Sequence, residues 1–382
     1  MRKLKMLAAA LTAACCVAMT ACSDDDKPVL TGDYEHVPAG DAGNGSVLGM
    51  YLLNEGNLGS NKCTLDYLDL QQSVYRRNIY SDANPEVVME LGDAGNDQII
   101  VDGRLFISVS GSNKVEVLDA YTARTMGHID VANARQLATD GKYVYVGSYT
   151  GAIKVDLAVN AGHVYKVDAS TLKIVGEYAT PYWPESMAVT GGRLYVATSG
   201  STDDLVYADN DVVVLNTSTM TAEGAITVGT NLNKVRVDDS GCLWISSRGD
   251  YMSKPSRLYR VDPKTSAVKT VEVSCTDFSI YKGTIYYYAS VWSNATMSMA
   301  HDYGTVSVAT ATPGASFLPA ASQAEITEPY GIAVNPANGD IYISDARNYT
   351  SSGSLLCFKP DGSLRWKVKT GDIPGHMVFL MR

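Results

Sequence analysis

The sequence predicts an all-β fold, a seven-bladed β-propeller. The first observation is a repeat in which a glycine turn leads into an apolar, alternating strand, such as GRLFISVSG or GKYVYVGSY. These strands begin at Gly49, Gly103, Gly141, Gly192, Gly241, Gly283 and Gly339. Their spacing is close to the period of about 40–50 residues that propeller blades show. No segment has sustained helical periodicity, which favours an all-β chain.

A second strand follows each of these first strands after a polar loop. Four of the second strands end in Asp or Asn, often followed by Ser or Thr, at Asp119, Asp168, Asn216 and Asp262. Such side chains accept hydrogen bonds from the backbone a few residues on and thereby fix a turn. The pattern therefore predicts a turn to a third strand at each of these positions.

A further strand, on the inner side of the blade, precedes most glycine turns, as QLATD does before Gly141 and KVRVD before Gly241. The first segment has no such strand ahead of it, whereas His376–Met381 forms a strand without a partner. We therefore expect His376–Met381 to be the inner strand of the first blade and to pair with Gly49–Asn54. This pairing closes the ring and leaves no open sheet edge.

The N-terminus predicts export. Three basic residues are followed by the apolar run 6–21, which is short for a membrane span and suits a signal peptide. The run ends in Met-Thr-Ala before Cys22, which resembles a lipobox, and the acidic run 23–26 resembles a surface-export signal. A secretory signal with a chance cysteine and a solvated linker are the alternatives. The predicted organisation is a signal peptide at 1–21, a lipidated N-terminus and linker at 22–47, and the propeller at 48–382, anchored by lipid at the outer-membrane surface.

Composition limits the classes of function. The formal net charge is −10, and it becomes more negative when the basic signal residues are removed. An acidic body does not fit nucleic-acid phosphates, so we expect no nucleic-acid partner. Four cysteines remain after the lipidation site, widely spaced and without a CxxC pair, so buried free thiols are the default interpretation; they are Cys63, Cys242, Cys275 and Cys357.

One face of a propeller collects the loops that enter the inner strands and the loops that join the next two strands. Loops held by a rigid ring commonly carry binding residues. The predicted loops on this face, among them 199–211 and 290–304, hold amides, arginines and large aromatic side chains. Each also has a structural interpretation, as a turn or packing residue. The predicted ligand-binding residues are Asn57, Asn96, Arg135, Tyr149, Trp183, Asn231, Arg248, Tyr251, Trp292, Tyr330 and Arg347.

The sequence predicts binding and not catalysis at this face. It has no GxSxG elbow, HExxH helix or P-loop, and its five histidines form no ligand pair. The stretch 92–97, GDAGND, is interpreted as a turn because it has fewer oxygens than a calcium loop. We therefore expect no metal and no catalytic cofactor. A metal-dependent lactonase with Glu185, Asn335 and Asp345 as ligands is the enzymatic alternative, by analogy of fold.

Several stretches together resemble a known family. They include NEGNLGSN (from residue 54), LGDAGNDQIIVDGRLFISVSGSNKVEVLD (from residue 91) and SSRGDY (from residue 246). They look like the YncE-like surface lipoproteins of gut Bacteroidetes, whose BtuG-type members are seven-bladed cobalamin binders. The resemblance implies that this chain binds cobalamin (vitamin B12) or a related corrinoid and passes it to a TonB-dependent outer-membrane transporter. A glycan, a peptide or a partner protein bound by the same face is the alternative.

Overall fold

The computed structural model describes residues 32–38, 45–88, 90–149, 161–200, 209–251, 253–293 and 296–382. The signal peptide, Cys22 and the acidic run 23–26 lie outside the described residues. The described residues form seven antiparallel sheets in a ring, which confirms the predicted seven-bladed propeller. Within them, no helix combines the length and apolar character needed to cross a membrane.

Strands are numbered in chain order and blades by the order in which the chain enters them. The first blade holds β1 (Tyr34–His36), β2 (Val47–Asn54), β3 (Thr64–Asp69) and β4 (Val74–Arg76). The second holds β5 (Gly95–Val101), β6 (Arg104–Val109), β7 (Lys114–Asp119) and β8 (Thr125–Asp130). The third holds β9 (Ala134–Thr139), β10 (Tyr143–Tyr149), β11 (Gly162–Asp168) and β12 (Lys173–Thr180). The fourth holds β13 (Trp183–Thr190), β14 (Arg193–Ser199), β15 (Asp211–Asn216) and β16 (Thr221–Thr227).

The remaining blades repeat this order, and the last strand returns to the first blade. The fifth holds β17 (Leu232–Val237), β18 (Leu243–Ser247), β19 (Arg257–Asp262) and β20 (Ala267–Val271). The sixth holds β21 (Asp277–Tyr281), β22 (Thr284–Ser293), β23 (Ser298–Ser307) and β24 (Thr312–Pro313). The seventh holds β25 (Pro329–Val334), β26 (Ile341–Asp345), β27 (Ser352–Phe358) and β28 (Leu364–Asp372). The closing strand is β29 (Pro374–Met381), and two short helices, α1 (Ile79–Ala83) and α2 (Ala320–Gln323), lie between strands.

The predicted ring closure is confirmed. Strand β29 pairs antiparallel with β2, with Leu53 opposite His376 and Met50 opposite Phe379. The first sheet therefore has the order β1-β4-β3-β2-β29, with the C-terminal strand on the inside. Strand β1, within the stretch 22–47 expected to be a linker, pairs with β4 and adds a fifth strand to the outer edge of this blade.

The predicted Asp and Asn turns are also confirmed. The Asp168 carboxylate accepts hydrogen bonds from the backbone N–H groups of Ser170 (3.0 Å) and Thr171 (2.9 Å). Asp119, Asn216 and Asp262 accept equivalent bonds from backbone groups two or three residues further on. These turns connect the two outer strands of a blade, for example β7 to β8 and β11 to β12. They all lie at the same end of the ring.

The core consists of apolar layers between adjacent blades. One layer, for example, packs Phe106 and Val115 of the second blade against Leu137 and Val146 of the third. Because each layer joins two blades, the ring is held together around its whole circumference. Cys63, Cys242, Cys275 and Cys357 are buried free thiols, as the default interpretation predicts.

Two predicted boundaries were wrong. The stretch 290–304, expected to be a loop, is largely an extension of the β22–β23 hairpin, in which Ser290 pairs with His301 and Trp292 with Met299. Two paired strands can continue through a polar stretch of sequence, so the polar residues in 290–304 do not mark the ends of β22 and β23. The inner strands also begin two or three residues earlier than their alternating pattern indicates, because a bulge near each start interrupts the alternation.

The closing strand also contributes an ionic contact between the first two blades. The His376 ring lies between two carboxylates, with Nε2 at 3.0 Å from Glu55 Oε1 and Nδ1 at 3.3 Å from Asp97 Oδ1. Burial opposes the charge of the ring, and Lys234 opposes it too, but the hydrogen bonds to Asp97 and Glu55 outweigh both and raise the pKa of His376. The histidine cation therefore contributes to ring closure.

We expect Leu380→Ala to lower the free energy of unfolding by about 2–5 kcal/mol, since Leu380 is only 3% exposed and packs in an interblade layer. The neighbouring substitution Met381→Ala is the matched control, because Met381 is 44% exposed on the same strand; its effect should stay within about 0.5 kcal/mol. Urea unfolding followed by tryptophan fluorescence measures both. Equal effects of the two substitutions would show that the strand is not packed as described.

The raised pKa of His376 predicts a pH-dependent part of stability. A group whose pKa is higher in the folded chain stabilises fully below its unfolded pKa of about 6.5 and loses that effect as pH rises through the folded pKa. The difference in unfolding free energy between the wild type and His376→Gln should therefore shrink as pH is raised from about 6 to about 9. Urea titrations at each pH measure it, and a difference that is constant over this range contradicts the assignment.

Candidate functional site

A cavity of about 940 Å³ opens at one end of the ring. Its wall is built from the first residues of the inner strands, such as Arg135 of β9. Residues at the end of the strand next to the inner strand, such as Arg248 after β18, complete it. This is the end at which the sequence analysis places the binding loops. The Asp and Asn turns described above lie at the opposite end, so the two faces of the propeller differ in kind.

Six of the seven inner strands carry a β-bulge at the cavity. In β9, Ala134 pairs with Ser148 and Leu137 pairs with Val146, so Arg135 and Gln136 together face the single residue between these partners. Register shifts of the same kind occur near the start of β5, β13, β17, β25 and β29. A bulge adds one residue to a strand and redirects a side chain, and bulges are frequent next to active sites.

The extra residues of these bulges supply much of the polar wall. They line the cavity in ring order from the second blade to the first, and they are Asn96, Arg135 with Gln136, Glu185, Asn233 with Lys234, Tyr330 and Gly375. A repeated irregularity of the backbone therefore presents a different side chain from each blade to one space. The repeat sets the positions, and the sequence at the bulges sets the chemistry.

An aromatic stack holds Arg135 in the wall. The guanidinium carbon of Arg135 lies 4.6 Å from the ring centre of Tyr149, and the Tyr149 ring stacks on Trp183 with centroids 5.3 Å apart and an interplanar angle of 17°. A guanidinium group that stacks on an aromatic ring uses its face, so the N–H donors at its edges stay available to other groups. Tyr149 and Trp183 therefore position Arg135, while Arg135 itself faces the cavity.

Glu185 is the centre of a buried polar network. Its carboxylate accepts hydrogen bonds from the hydroxyls of Tyr149 (2.6 Å) and Ser199 (2.7 Å), and it forms an ion pair with Arg248 at 3.3 Å. Burial opposes its charge, but Arg248, the hydroxyls and the nearby charge of Arg135 lower the pKa of Glu185. The carboxylate is therefore ionised at neutral pH, with its oxygens occupied by protein donors.

A second carboxylate, Glu55, lies where the seventh blade meets the first. Tyr330 donates its hydroxyl hydrogen to Glu55 Oε2 at 2.9 Å, and His376 contacts Oε1 at 3.0 Å. Glycines make room here, because a Cβ on Gly375 would lie 2.6 Å from Glu55 Oε1 and one on Gly331 would lie 2.1 Å from the Gly375 carbonyl oxygen. Close approach of the two blades therefore requires glycine at 331, and glycine at 375 leaves room for the Glu55 carboxylate.

The sixth blade forms an apolar wall. The extended β22–β23 hairpin contributes Val291, Trp292 and Met299 to the lining, and Tyr251 joins them from the fifth blade. Trp292 is 51% exposed and Met297, at the tip of the hairpin, is 71% exposed. The cavity is thus amphipathic, with this apolar wall on one side and the polar bulge residues on the others.

The structure brings together six of the predicted binding residues as lining of the cavity, namely Asn96, Arg135, Arg248, Tyr251, Trp292 and Tyr330. Tyr149 and Trp183 lie behind the lining as the stack under Arg135. Asn231 is buried and donates to the Gly249 carbonyl, so it holds a loop. Asn57 donates to the Tyr349 carbonyl at 2.9 Å, and Arg347 is exposed with a φ of 56° beside Asp345, so neither lies in the lining.

Several residues of the wall were not among the predicted binding residues. These are Glu55, Gln136, Lys234, Asp277, Glu328, Tyr349 and His376. An alignment of the inner strands on their alternating residues would have found part of this set. In this alignment one repeat position is the residue directly before the alternating stretch of each inner strand. It is occupied by Asp97, Gln136, Lys234, Asp277 and His376 in five of the blades. His376 thus occupies a defined position of the repeat, whereas the five histidines compared with one another share no such position.

The residues considered for metal binding are otherwise occupied. In the stretch 92–97, Asp93 accepts the backbone N–H groups of Gly59 (2.7 Å) and Asn61 (3.0 Å). The stretch is not the predicted turn, because Gly92 forms a β-bridge with Cys63 and residues 95–97 begin β5. Asn335 follows the far end of β25, about 20 Å along the strand from its cavity end, so it does not converge with Glu185. The described residues contain no group of three or more His, Cys, Asp or Glu side chains that could hold a metal ion.

Solved structures with low sequence identity share this fold. Hydrazine synthase of Kuenenia stuttgartiensis matches with a TM-score of 0.58 and 15% identity over 75% of this chain and 95% of its own. A quinoprotein alcohol dehydrogenase-like protein of Bacteroides thetaiotaomicron matches with a TM-score of 0.58 and 11% identity over 87% of this chain and 78% of its own. An apocarotenoid oxygenase of Synechocystis matches with a TM-score of 0.54 and 12% identity over 92% and 95%. At these identities the likeness concerns the fold alone.

A protein family covers most of the propeller. No curated protein matches the sequence. Residues 48–356, from the start of the first blade into the seventh, match the model of a domain of unknown function, DUF5074. Since that match extends over more than half of the sequence, the chain belongs to the DUF5074 family.

Proposed function

We propose that this propeller is a surface lipoprotein that binds cobalamin or a related corrinoid in its cavity and passes it to a TonB-dependent outer-membrane transporter. One observation carries the proposal. The two most specific motifs of the family resemblance, NEGNLGSN and SSRGDY, both contribute to the cavity lining, through Glu55 in the first and through Ser247, Arg248 and Tyr251 in the second. The resemblance therefore extends to the candidate site as well as to the strands and turns.

The chemistry of the cavity suits such a ligand. Ligand sites in proteins are concave, commonly about 300–1,000 Å³ in volume, with apolar surface and a few placed polar groups. A corrinoid presents a broad ring fringed with amides. The Trp292 and Met299 wall offers apolar and aromatic surface to the ring. Asn96, Gln136 and Asn233 line the cavity and donate their side-chain N–H groups within the protein, so they offer their amide oxygens to its fringe. We propose binding and not catalysis, because the carboxylates Glu185 and Glu55 of the wall are held in fixed contacts with Arg248 and His376.

The apolar hairpin supports the transfer step of the proposal. Met297 at its tip and Trp292 on its edge expose large apolar side chains beside the cavity. Exposed apolar surface next to a ligand site is typical of a protein contact. We propose that the transporter contacts this hairpin. A glycan, a peptide or a partner protein bound by the same face remains the alternative to a corrinoid.

Titration of the detergent-solubilised full-length protein with cyanocobalamin, followed by calorimetry, tests the ligand. We expect binding at micromolar concentration and a loss of about tenfold or more in affinity for Trp292→Ala, since aromatic residues of a wall contribute strongly to binding. The melting temperature should change little, because Trp292 is half exposed. Tyr121→Ala is the matched control, as Tyr121 is an exposed aromatic residue at the opposite end of the ring. Absence of heat from the wild type would exclude the corrinoid.

The lipid anchor is tested at Cys22. We expect Cys22→Ala to abolish incorporation of a clickable palmitate analogue and to release the protein from the membrane fraction, because the lipobox places lipid on this residue alone. Cys16→Ala, within the signal peptide, should leave both unchanged. Digestion of intact cells by added protease measures surface display of the wild type. A labelled Cys22→Ala protein would refute the anchor, and a protected wild type would place the propeller inside the cell envelope.

A further inference from the structure

We infer that the part of the cavity wall formed by blades three to five is a subsite for an oxyanion, a carboxylate or phosphate group of the ligand, with Arg135 as its principal donor and Lys234 as its second. The inference rests on the proposed binding role of the cavity, but not on the identity of the ligand as a corrinoid. Binding at this subsite gives the ligand a fixed orientation in the cavity.

Arg135 has donors without acceptors. It forms no ion pair and donates no hydrogen bond to any described residue, and its guanidinium is held flat on Tyr149. The group is half-buried in the wall of the cavity. Five N–H donors in one plane match the two oxygens of a carboxylate or phosphate. Because the group faces the cavity and is stacked on Tyr149, its donors are in place for an acceptor that enters the cavity.

The local charge favours an anion. Glu185 carries one negative charge and faces two guanidinium groups, since it pairs with Arg248 at 3.3 Å and also senses the charge of Arg135. Its oxygens are occupied by Arg248, Tyr149 and Ser199. Arg135, Arg248 and Glu185 together therefore carry one net positive charge, although the chain as a whole carries a net charge of −10.

Lys234 adds a second cation. It lies on the bulge of β17 in the lining, and its Nζ forms no ion pair with any described carboxylate. The nearby carboxylate of Asp97 has both oxygens in use, since Oδ1 contacts His376 and Oδ2 accepts the Leu137 N–H at 2.9 Å. The ammonium of Lys234 keeps donors for a ligand. Blade five thus contributes Lys234 and blade three Arg135, on either side of Glu185 in blade four.

The rest of the wall does not compete for the same group. On the seventh and first blades the carboxylates Glu328 and Glu55 face the cavity, paired with His301 (3.7 Å) and His376 (3.0 Å). These carboxylates repel an anion. On the sixth blade the β22–β23 hairpin is apolar, and the carboxylate of Asp277 at the start of β21 pairs with Arg236 at 2.9 Å. The subsite therefore selects an amphipathic ligand whose oxyanion lies at blades three to five and whose apolar body lies against the β22–β23 hairpin.

The test uses three small probes of similar shape and different charge. They are 1-naphthyl phosphate, 1-naphthoate and the neutral 1-naphthalenemethanol, titrated into the full-length protein by calorimetry. We expect at least one anion to bind about tenfold more tightly than the neutral alcohol, and the advantage to fall as NaCl is raised from about 50 mM to about 500 mM. The phosphate binding more tightly than the carboxylate identifies a phosphate site, and the reverse identifies a carboxylate site.

Variants locate the effect. Arg135→Gln and Lys234→Gln should each weaken binding of the preferred anion by about tenfold and leave the neutral alcohol unchanged. Arg193→Gln is the charge-matched control, because Arg193 pairs with Glu223 at the opposite end of the ring. Urea unfolding of each variant confirms that it folds. Equal affinity for anions and alcohol, absence of anion binding at about 5 mM, or an equal loss in the Arg193 control would each overturn the subsite.

The outcome is separable from the corrinoid proposal. If cyanocobalamin binds the wild type and both cavity variants with the same affinity, and the anions show no preference, the oxyanion subsite is refuted and the corrinoid stands. If cyanocobalamin gives no heat while the anions bind through Arg135 and Lys234, the corrinoid is refuted and the subsite stands.

Discussion

The pairing of β29 with β2 is the constraint on which the rest of the ring depends. An open ring would leave the inner edge of β2 unpaired and the first and seventh blades without a common layer. Closure also connects the first two blades through hydrogen bonds. Gln98 of β5 donates to the Tyr51 carbonyl of β2 (3.1 Å) and to the His376 carbonyl of β29 (2.8 Å). Closure gives the first blade an inner strand like those of the other six, and the edges that remain in a propeller are short and protected.

The bulges of the inner strands connect this frame to the site. At the bulge of β9, Gln136 donates to the Asn96 carbonyl of the previous blade, whereas Arg135 faces the cavity. On the next blade Ser186 reaches the Val235 carbonyl, and Glu185 faces the cavity. One residue of each pair thus contacts the neighbouring blade while the other faces the cavity. Rigidity of the ring and variety of the wall come from adjacent positions.

Sequence periodicity was sufficient for the fold, because strand alternation, Asp turns and the unpaired strand 376–381 are local signals that the ring makes consistent. It was not sufficient for the site. Arg135 and Tyr149 were both predicted to bind a ligand on this face. Only Arg135 lines the cavity, and Tyr149 lies behind it. Which of two aromatic or basic residues faces a cavity depends on bulge geometry and on contacts between blades. Both are properties of residues distant in sequence, such as Glu55 and His376.

The closing strand has a consequence for the timing of assembly. Gly375 and His376 are part of the cavity wall, and they are synthesised after the other strands of all seven blades. Until they have been made, Glu55 lacks its histidine and the wall is open between the seventh blade and the first. A chain in which the other strands have formed but β29 has not therefore has an incomplete cavity wall. The complete wall requires that the ring has been closed.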